Sequence, residues 1–353
     1  MFVSYFVNCP ACQREQIRNT VFSYFGGPVA ERVKGHAQLV RYEKRFRFDV
    51  GVMYALRNAY RRAGSHLMLV HSNLWGLLAA LLFGLPTVYV LHVAPSAGST
   101  EGRVRNALLR RLARRERGLL VAVSNATART AEAQLSLPDG SVRVIPNGIP
   151  NEAPRQRAQA ATGCKEFSVA CVGSLCPVKG QHVLIAAISA LKSQGVSVHC
   201  HFAGHGPSEN EFRRLARELH VQDLIHFHGY VPVEAFFIAC RPSAVIVPSL
   251  SETFGFTTLE AWRDGIPVIA SAVDGPSEVI EDGVSGLLFP PGDAAALGER
   301  ILRLQRDRDL LHALACGGRL RLRAFSMERC VQRYRSVADA LLAAGRAKST
   351  TRT

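Results

Sequence analysis

Short apolar runs alternate with helix-length stretches along the first half of the chain. Leu67–His71, Thr87–Leu91, Leu119–Val123 and Val142–Ile145 are apolar and rich in β-branched residues. Between them lie Leu74–Phe83, stopped by Gly84, the arginine-loaded Val104–Arg117, and a stretch that Ser124 or Asn125 can cap. Continuous apolar runs fit strands covered on both faces of a parallel sheet. Strands that alternate with helices argue for a doubly wound α/β sheet.

Residues Pro150–Lys165 break this rhythm, being polar and rich in alanine and proline, and read as a linker. A second series follows. Strands are expected at Ser168–Val172, Val196–Ala203, Ile225–His228, Ala244–Pro248 and Ile266–Ala270. Helices are expected at His182–Leu191, Glu209–Leu219 and Phe256–Asp264, the last stopped by Gly265 and Pro267. The pattern divides the chain into domains at 1–150 and 166–325, a linker at 151–165, and a closing helix at 326–345. That helix follows Ser326 as its N-cap and is expected to pack back toward the first domain. In open α/β sheets, ligands sit beyond the carboxyl ends of the strands. The loops that matter are therefore those after each second-series strand.

Composition narrows the partners. The 353 residues are 48% hydrophobic and 20% charged, as in a soluble globular protein of two domains. A net charge of +15, mostly from arginine, points to acidic substrates, an anionic membrane face or nucleic acid. No aromatic RNA-binding motif or zinc module accompanies the charge, which argues against nucleic acid. Nine scattered cysteines suit reduced thiols, and Cys9-Pro-Ala-Cys12 has no second pair to complete a zinc set. Met1–Pro10 lacks a basic lead and cleavage site, so a cytoplasmic location is expected. Leu74–Leu85 is too short to span a bilayer.

The richest chemistry lies in Pro248–Ser271. Glu252 precedes a turn on Phe254-Gly255, and Glu260 sits on the helix that follows. Glycine lets backbone approach a ligand, and helix-start N–H groups favour anions. Two hydroxyl-accepting carboxylates around such donors suit a polyhydroxylated, phosphorylated ligand. The alternative is a solvated helix carrying two surface acids.

These residues, Pro248-Ser249, Glu252, Phe254-Gly255, Glu260-Ala261, Gly265 and Pro267–Ser271, resemble the signature of the retaining glycosyltransferases of family 4. Val172–Gly180, Gly204–Pro207, Gly229–Pro232, Gly275–Ile280 and Gly286–Asp293 follow in the family's order, as do His71, His92, Ser124 and Pro146-Asn147-Gly148. The resemblance implies a GT-B fold: two doubly wound Rossmann-like domains whose parallel sheets face an interdomain cleft. It also implies transfer of a sugar from a UDP, GDP or ADP sugar to a glycan or lipid-linked acceptor. Anomeric configuration would be retained, as in polysaccharide or lipopolysaccharide synthesis.

By the same resemblance Glu260 holds the ribose and Glu252 the donor sugar, Lys179 meets the diphosphate, and Tyr230-Val231 forms the base-binding turn. Gly173, Ser174, Gly204, Thr253, Phe254 and Gly255 complete the donor set. His92 lies nearest the reacting sugar, making His92, Glu252 and Lys179 the catalytic candidates. No cofactor or metal is expected, and Asp307-Arg308-Asp309 reads as solvated surface rather than a metal motif.

The chain departs from the family at two places. Ser174 stands where an arginine is common, so one of two diphosphate cations is absent, or Arg241, Arg263 or another nearby basic residue substitutes for it. Phe2–Asn8 reads as the family's second strand, so the first β-α unit is expected to be missing, with Gly26-Gly27 a candidate for the usual glycine loop. These departures keep open an alternative, a catalytically weak partner subunit. The cluster Arg103, Arg105, Arg110, Arg111, Arg114, Arg115 and Arg117 is expected on one helix, facing an anionic acceptor or the inner membrane leaflet, or else forming a solvated face.

Overall fold

The computed structural model describes residues 9, 10, 12, 18–23, 37–42, 49–150 and 167–347. Phe2–Asn8, Gly26-Gly27 and the linker at 151–165 lie outside them. The chain forms two units, Met1–Pro150 with Phe325–Thr353, and Asn151–Ala324.

In the first unit β1 (Thr20–Ser23) and β2 (Gln38–Arg41) form a parallel pair, followed by α1 (Gly51–Arg62). Then β3 (Met68–His71), α2 (Leu74–Phe83), β4 (Thr87–Leu91), α3 (Thr100–Ala113), β5 (Gly118–Ala122), α4 (Asn125–Leu135) and β6 (Val142–Val144) alternate. The four strands β3 to β6 pair in chain order, all parallel. Every residue of β4 is buried, as a strand covered on both faces requires. Asn73 caps α2 by accepting the Gly76 N–H at 2.8 Å, and Ser124, not Asn125, caps α4.

The arginine-rich stretch ends as a helix sooner than its sequence suggests. The helix stops at Ala113, so Arg114, Arg115 and Arg117 fall on the connection to β5. Arg115 is not free for a membrane: its guanidinium donates to the Ala80 and Leu81 carbonyls at 3.1 and 3.2 Å, at the C-terminal end of α2.

The second unit begins with β7 (Ser168–Val172), a short 3-10 turn (Pro177–Lys179) and α5 (Gln181–Ser193). It continues with β8 (His199–Ala203), α6 (Glu209–Glu218), β9 (Ile225–Phe227), α7 (Val233–Cys240) and β10 (Ala244–Val247). Next come α8 (Phe256–Arg263), β11 (Val268–Ser271), α9 (Asp274–Val279), β12 (Leu287–Phe289), α10 (Ala294–Arg306) and α11 (Arg308–Leu322). The six strands are parallel in the order β12-β11-β10-β7-β8-β9. Val169, Ile246, Ile269, Ile185, Ile188 and Leu297 are among the side chains of its core.

Strand β8 starts three residues later than the apolar pattern predicts. Gly195 takes a left-handed turn and the Val196 N–H closes the end of α5 on Leu191 O, so pairing starts only at His199. Asp307 accepts the Leu310 N–H at 2.8 Å and so caps α11.

The chain returns to the first unit in α12 (Met327–Ala347). Ile149 donates to Phe325 O at 3.1 Å and accepts from Met327 N at 2.9 Å, and Ser326 caps the helix through the Arg329 N–H.

Candidate active site

Strands β7 and β10 lie side by side although β8 and β9 separate them in sequence. The sheet reverses its direction of growth there, which opens a crevice at the carboxyl ends of these two strands. The loops 173–180 and 248–255 leave the sheet at this point.

Backbone contacts lace the two loops together. The Leu250 N–H donates to Val178 O at 2.8 Å. Gly180, at φ +70°, touches the Pro248 carbonyl so closely that a Cβ would overlap it. This contact aims two side chains at one another: Lys179 Nζ donates to Glu252 Oε2 at 2.6 Å. Behind the second loop, the Gly275 N–H donates to the Glu252 carbonyl at 2.9 Å.

Gly255 takes φ +88° and opens α8, whose first N–H groups and positive dipole end point toward the loop. Phe254 is buried, its ring edge-on to Phe256 with centroids 5.7 Å apart. Glu260 lies in the second turn of α8 and is only 2% exposed. That burial removes the reading of two solvated surface acids, since carboxylates are almost never fully buried unless partnered.

Neighbouring strand ends complete the rim. Gly173 and Gly204 approach so closely that a Cβ on Gly204 would strike the Gly173 carbonyl, and the Gly204 N–H donates to Gly229 O at 2.8 Å. The Tyr230 N–H donates to His205 Nε2 at 3.1 Å, leaving the Tyr230 side chain 63% exposed, with Val231 half-buried beside it. Ser174 is exposed, and its carbonyl accepts from Gln181 Nε2 at 2.9 Å.

The second unit thus brings together the ends of β7, β8, β9 and β10 with Gly173, Ser174, Lys179, Gly204, Tyr230, Val231, Glu252, Thr253, Phe254, Gly255 and Glu260 on them. Neither arginine offered as a substitute cation reaches this crevice. Arg263 ends α8, seven residues or about 10 Å beyond its start. It is buried in ion pairs with Glu234 at 3.3 Å and Asp264 at 3.6 Å. Arg241 precedes β10, at the amino end of the strand.

His92 belongs to the first unit, at the end of β4. Its Nε2 lies 2.8 Å from Nδ1 of His71, at the end of β3, and the rings stack with centroids 5.1 Å apart. Ser72 ties the two strand ends together: its hydroxyl donates to Val90 O and accepts the His92 N–H, both at 3.3 Å. Burial lowers the pKa of His71 to about 3, with the His92 charge adding to the effect, and burial lowers that of His92 to about 4. Both are neutral at pH 7, one donating to the other. The sequence placed His71 in the family's order but gave no sign of this pairing, which depends on register between two strands.

Comparison with known proteins decides the family. Residues 152–321 match the glycosyl transferases group 1 model, and residues 9–153 match the Glycosyltransferase Family 4 model. The chain is also 31% identical over 360 residues to D-inositol 3-phosphate glycosyltransferase of Salinispora arenicola, covering 89% of this chain and 75% of that one. The chain belongs to the family 4 glycosyltransferases.

A second relative of this glycosyltransferase, D-inositol 3-phosphate glycosyltransferase of Nocardia farcinica, is 28% identical, and the match covers 73% of this chain and 63% of that one. The fold of this chain is shared with GT-B enzymes of known structure. The crystal structure of Anabaena HepE in complex with UDP-glucose aligns with a TM-score of 0.79 at 20% identity, over 96% of this chain and 95% of that one. Among the described residues, no helix is long and apolar enough to cross a membrane.

Proposed function

We propose that this glycosyltransferase moves a hexose from a nucleoside diphosphate sugar, of the UDP class, to a hydroxyl of a glycan, lipid-linked or cyclitol phosphate acceptor, with retention of anomeric configuration. The observation that carries the reading is the meeting of Lys179, Glu252 and the α8 N-terminus at the switch point of the sheet, with the buried Glu260 one turn along that helix. The names of the inositol phosphate glycosyltransferases and the UDP-glucose complex of HepE support the choice of acceptor and base.

In this reading the departing diphosphate gathers charge, and the Lys179 ammonium and the N–H groups of the α8 end stabilise it. Glu252 accepts hydroxyls of the donor sugar, and Glu260 accepts those of the ribose. Glu252 acts as an orienting group, not as a nucleophile. The neutral imidazole of His92 offers a hydrogen bond to a ligand hydroxyl at the ends of β3 and β4. The leaving group departs and the acceptor arrives on one face, with the acceptor proton passing to the leaving phosphate oxygen. No resident metal is required by these groups.

The test is calorimetry with UDP, GDP and ADP on wild type and Glu260→Gln, followed by NMR of the product's anomeric configuration. UDP affinity is expected to fall ~10- to 100-fold in the variant, the loss of one or two charge-assisted hydrogen bonds. Unchanged affinity removes the ribose role, and an inverted product removes retention.

A further inference from the structure

Four histidines line one face of the sheet edge formed by β8 and the terminal strand β9. The sequences His199-Cys200-His201 and His226-Phe227-His228 place them at alternate positions, and side chains two apart in a strand share a face. The register pairs His201 with His226. The rings therefore interleave. His199 Nδ1 lies 3.0 Å from His226 Nε2, the His201 and His226 rings stack at 4.8 Å, and His201 Nδ1 lies 3.1 Å from His228 Nε2.

Helix α7 closes one end of this row. Phe236 packs edge-on to His228 with centroids 5.3 Å apart, and Cys240, the last residue of the helix, sets its Sγ 3.9 Å from His228 Nε2. The ligand atoms of His201, His228 and Cys240 all lie within 4.8 Å of one another. They come from three elements: β8, the residue after β9, and α7.

Around a tetrahedral zinc, with Zn–N of about 2.0–2.1 Å and Zn–S of about 2.3 Å, two nitrogens stand about 3.3 Å apart and a nitrogen and a sulfur about 3.6 Å. The 3.1 and 3.9 Å separations are within a few tenths of an ångström of these values. The third pair, His201 and Cys240, lies within 4.8 Å, so the Cys240 side chain would close on the cation as it binds. Imidazole and thiolate together select zinc-like divalent cations over magnesium or calcium.

We propose that His201, His228 and Cys240 bind a zinc-class divalent cation with a fourth position open to water. On binding, the Cys240 thiol gives up its proton to solvent and ligates as thiolate. The site lies apart from Lys179, Glu252 and Glu260 and takes no part in the transfer reaction. Its effect is to brace the end of β9, from which the Gly229-Tyr230 turn departs, against α7.

The test uses the full chain, stripped by a chelator and titrated with cobalt(II) chloride and then zinc chloride. The expected result is stoichiometric cobalt binding with tetrahedral visible bands and a near-ultraviolet thiolate-to-metal band, both displaced by zinc. Cys240→Ser should lose the thiolate band, and the exposed-site variant His228→Asn should lose stoichiometric binding with an unchanged far-ultraviolet circular dichroism spectrum. Wild type without the thiolate band at stoichiometric cobalt overturns the proposal. So does a thiolate band of full intensity in Cys240→Ser, which would assign the metal to other cysteines such as Cys9 and Cys12.

Discussion

Lys179 Nζ and Glu252 Oε2 stand 2.6 Å apart, across two loops that are 73 residues distant in sequence. The proposed diphosphate cation and the proposed sugar-holding carboxylate therefore neutralise one another before any donor is bound. Replacing the lysine removes a charge-assisted partner from the donor and leaves Glu252 to repel the phosphates. Lys179→Met is expected to lower donor affinity and kcat/KM by ~10²-fold, from hydrogen bonds worth about 1.5–3 kcal/mol. Calorimetry and initial rates measure both. Lys179→Arg is expected to recover little, because a planar fork does not replace a compact ammonium.

The wall behind Glu260 is sensitive to size. Gly318, in α11, lies against the fully buried ring of Trp262, and an added Cβ would overlap that ring. Gly318→Ala is expected to cost ~1–3 kcal/mol through overpacking and to shift the Trp262 fluorescence. Urea unfolding followed by tryptophan emission reads both effects.

The His71–His92 pair makes stability depend on pH. In the folded chain their pKa values are lowered to about 3 and about 4 from the ordinary 6.5. The unfolded chain takes up protons first as pH falls. The stabilisation is therefore complete above pH 6.5 and is lost progressively toward pH 4. The urea midpoint should be lower at about pH 5.5 than at about pH 7.5. His71→Asn with His92→Gln should reduce that difference, the remainder coming from His201 and His226, whose pKa values burial also lowers.

Within the arginine cluster, the structure separates one residue from the rest. Arg115→Ala removes donors from two carbonyls at the end of α2 and is expected to cost about 1 kcal/mol of stability. It should leave binding to anionic vesicles unchanged. Replacing the exposed Arg103 and Arg111 should do the reverse, leaving the melting temperature alone and weakening vesicle binding if the face meets anionic lipid. Flotation at two lipid charges, beside a thermal melt, distinguishes these outcomes.

The alternation of strands and helices was legible because the central strands are buried apolar runs, as in the fully covered β4, β10 and β11. Leu74–Phe83 was legible to the residue, since Asn73 and Gly84 mark its ends. Elements ended by neighbours from elsewhere in the chain were less so. The arginine helix stops at Ala113 while Arg115 turns away to α2, a partner no local pattern reveals. Glu252 and Glu260 could be singled out from their spacing, but the burial of Glu260 and the Lys179 contact needed the crossover order of the sheet. The histidine row did leave a signal, imidazoles at alternate strand positions, whose meaning depends on the β8–β9 register.

The touch of Gly180 on the Pro248 carbonyl, with Leu250 bonded to Val178, has an evolutionary consequence. Loops 173–180 and 248–255 are one heritable part. A graft of either loop alone from a relative with another donor would collide with its unmatched neighbour, whereas the two transplanted together carry their own fit. Donor preference in this enzyme should therefore change by co-substitution across the intervening chain, not by drift in a single turn.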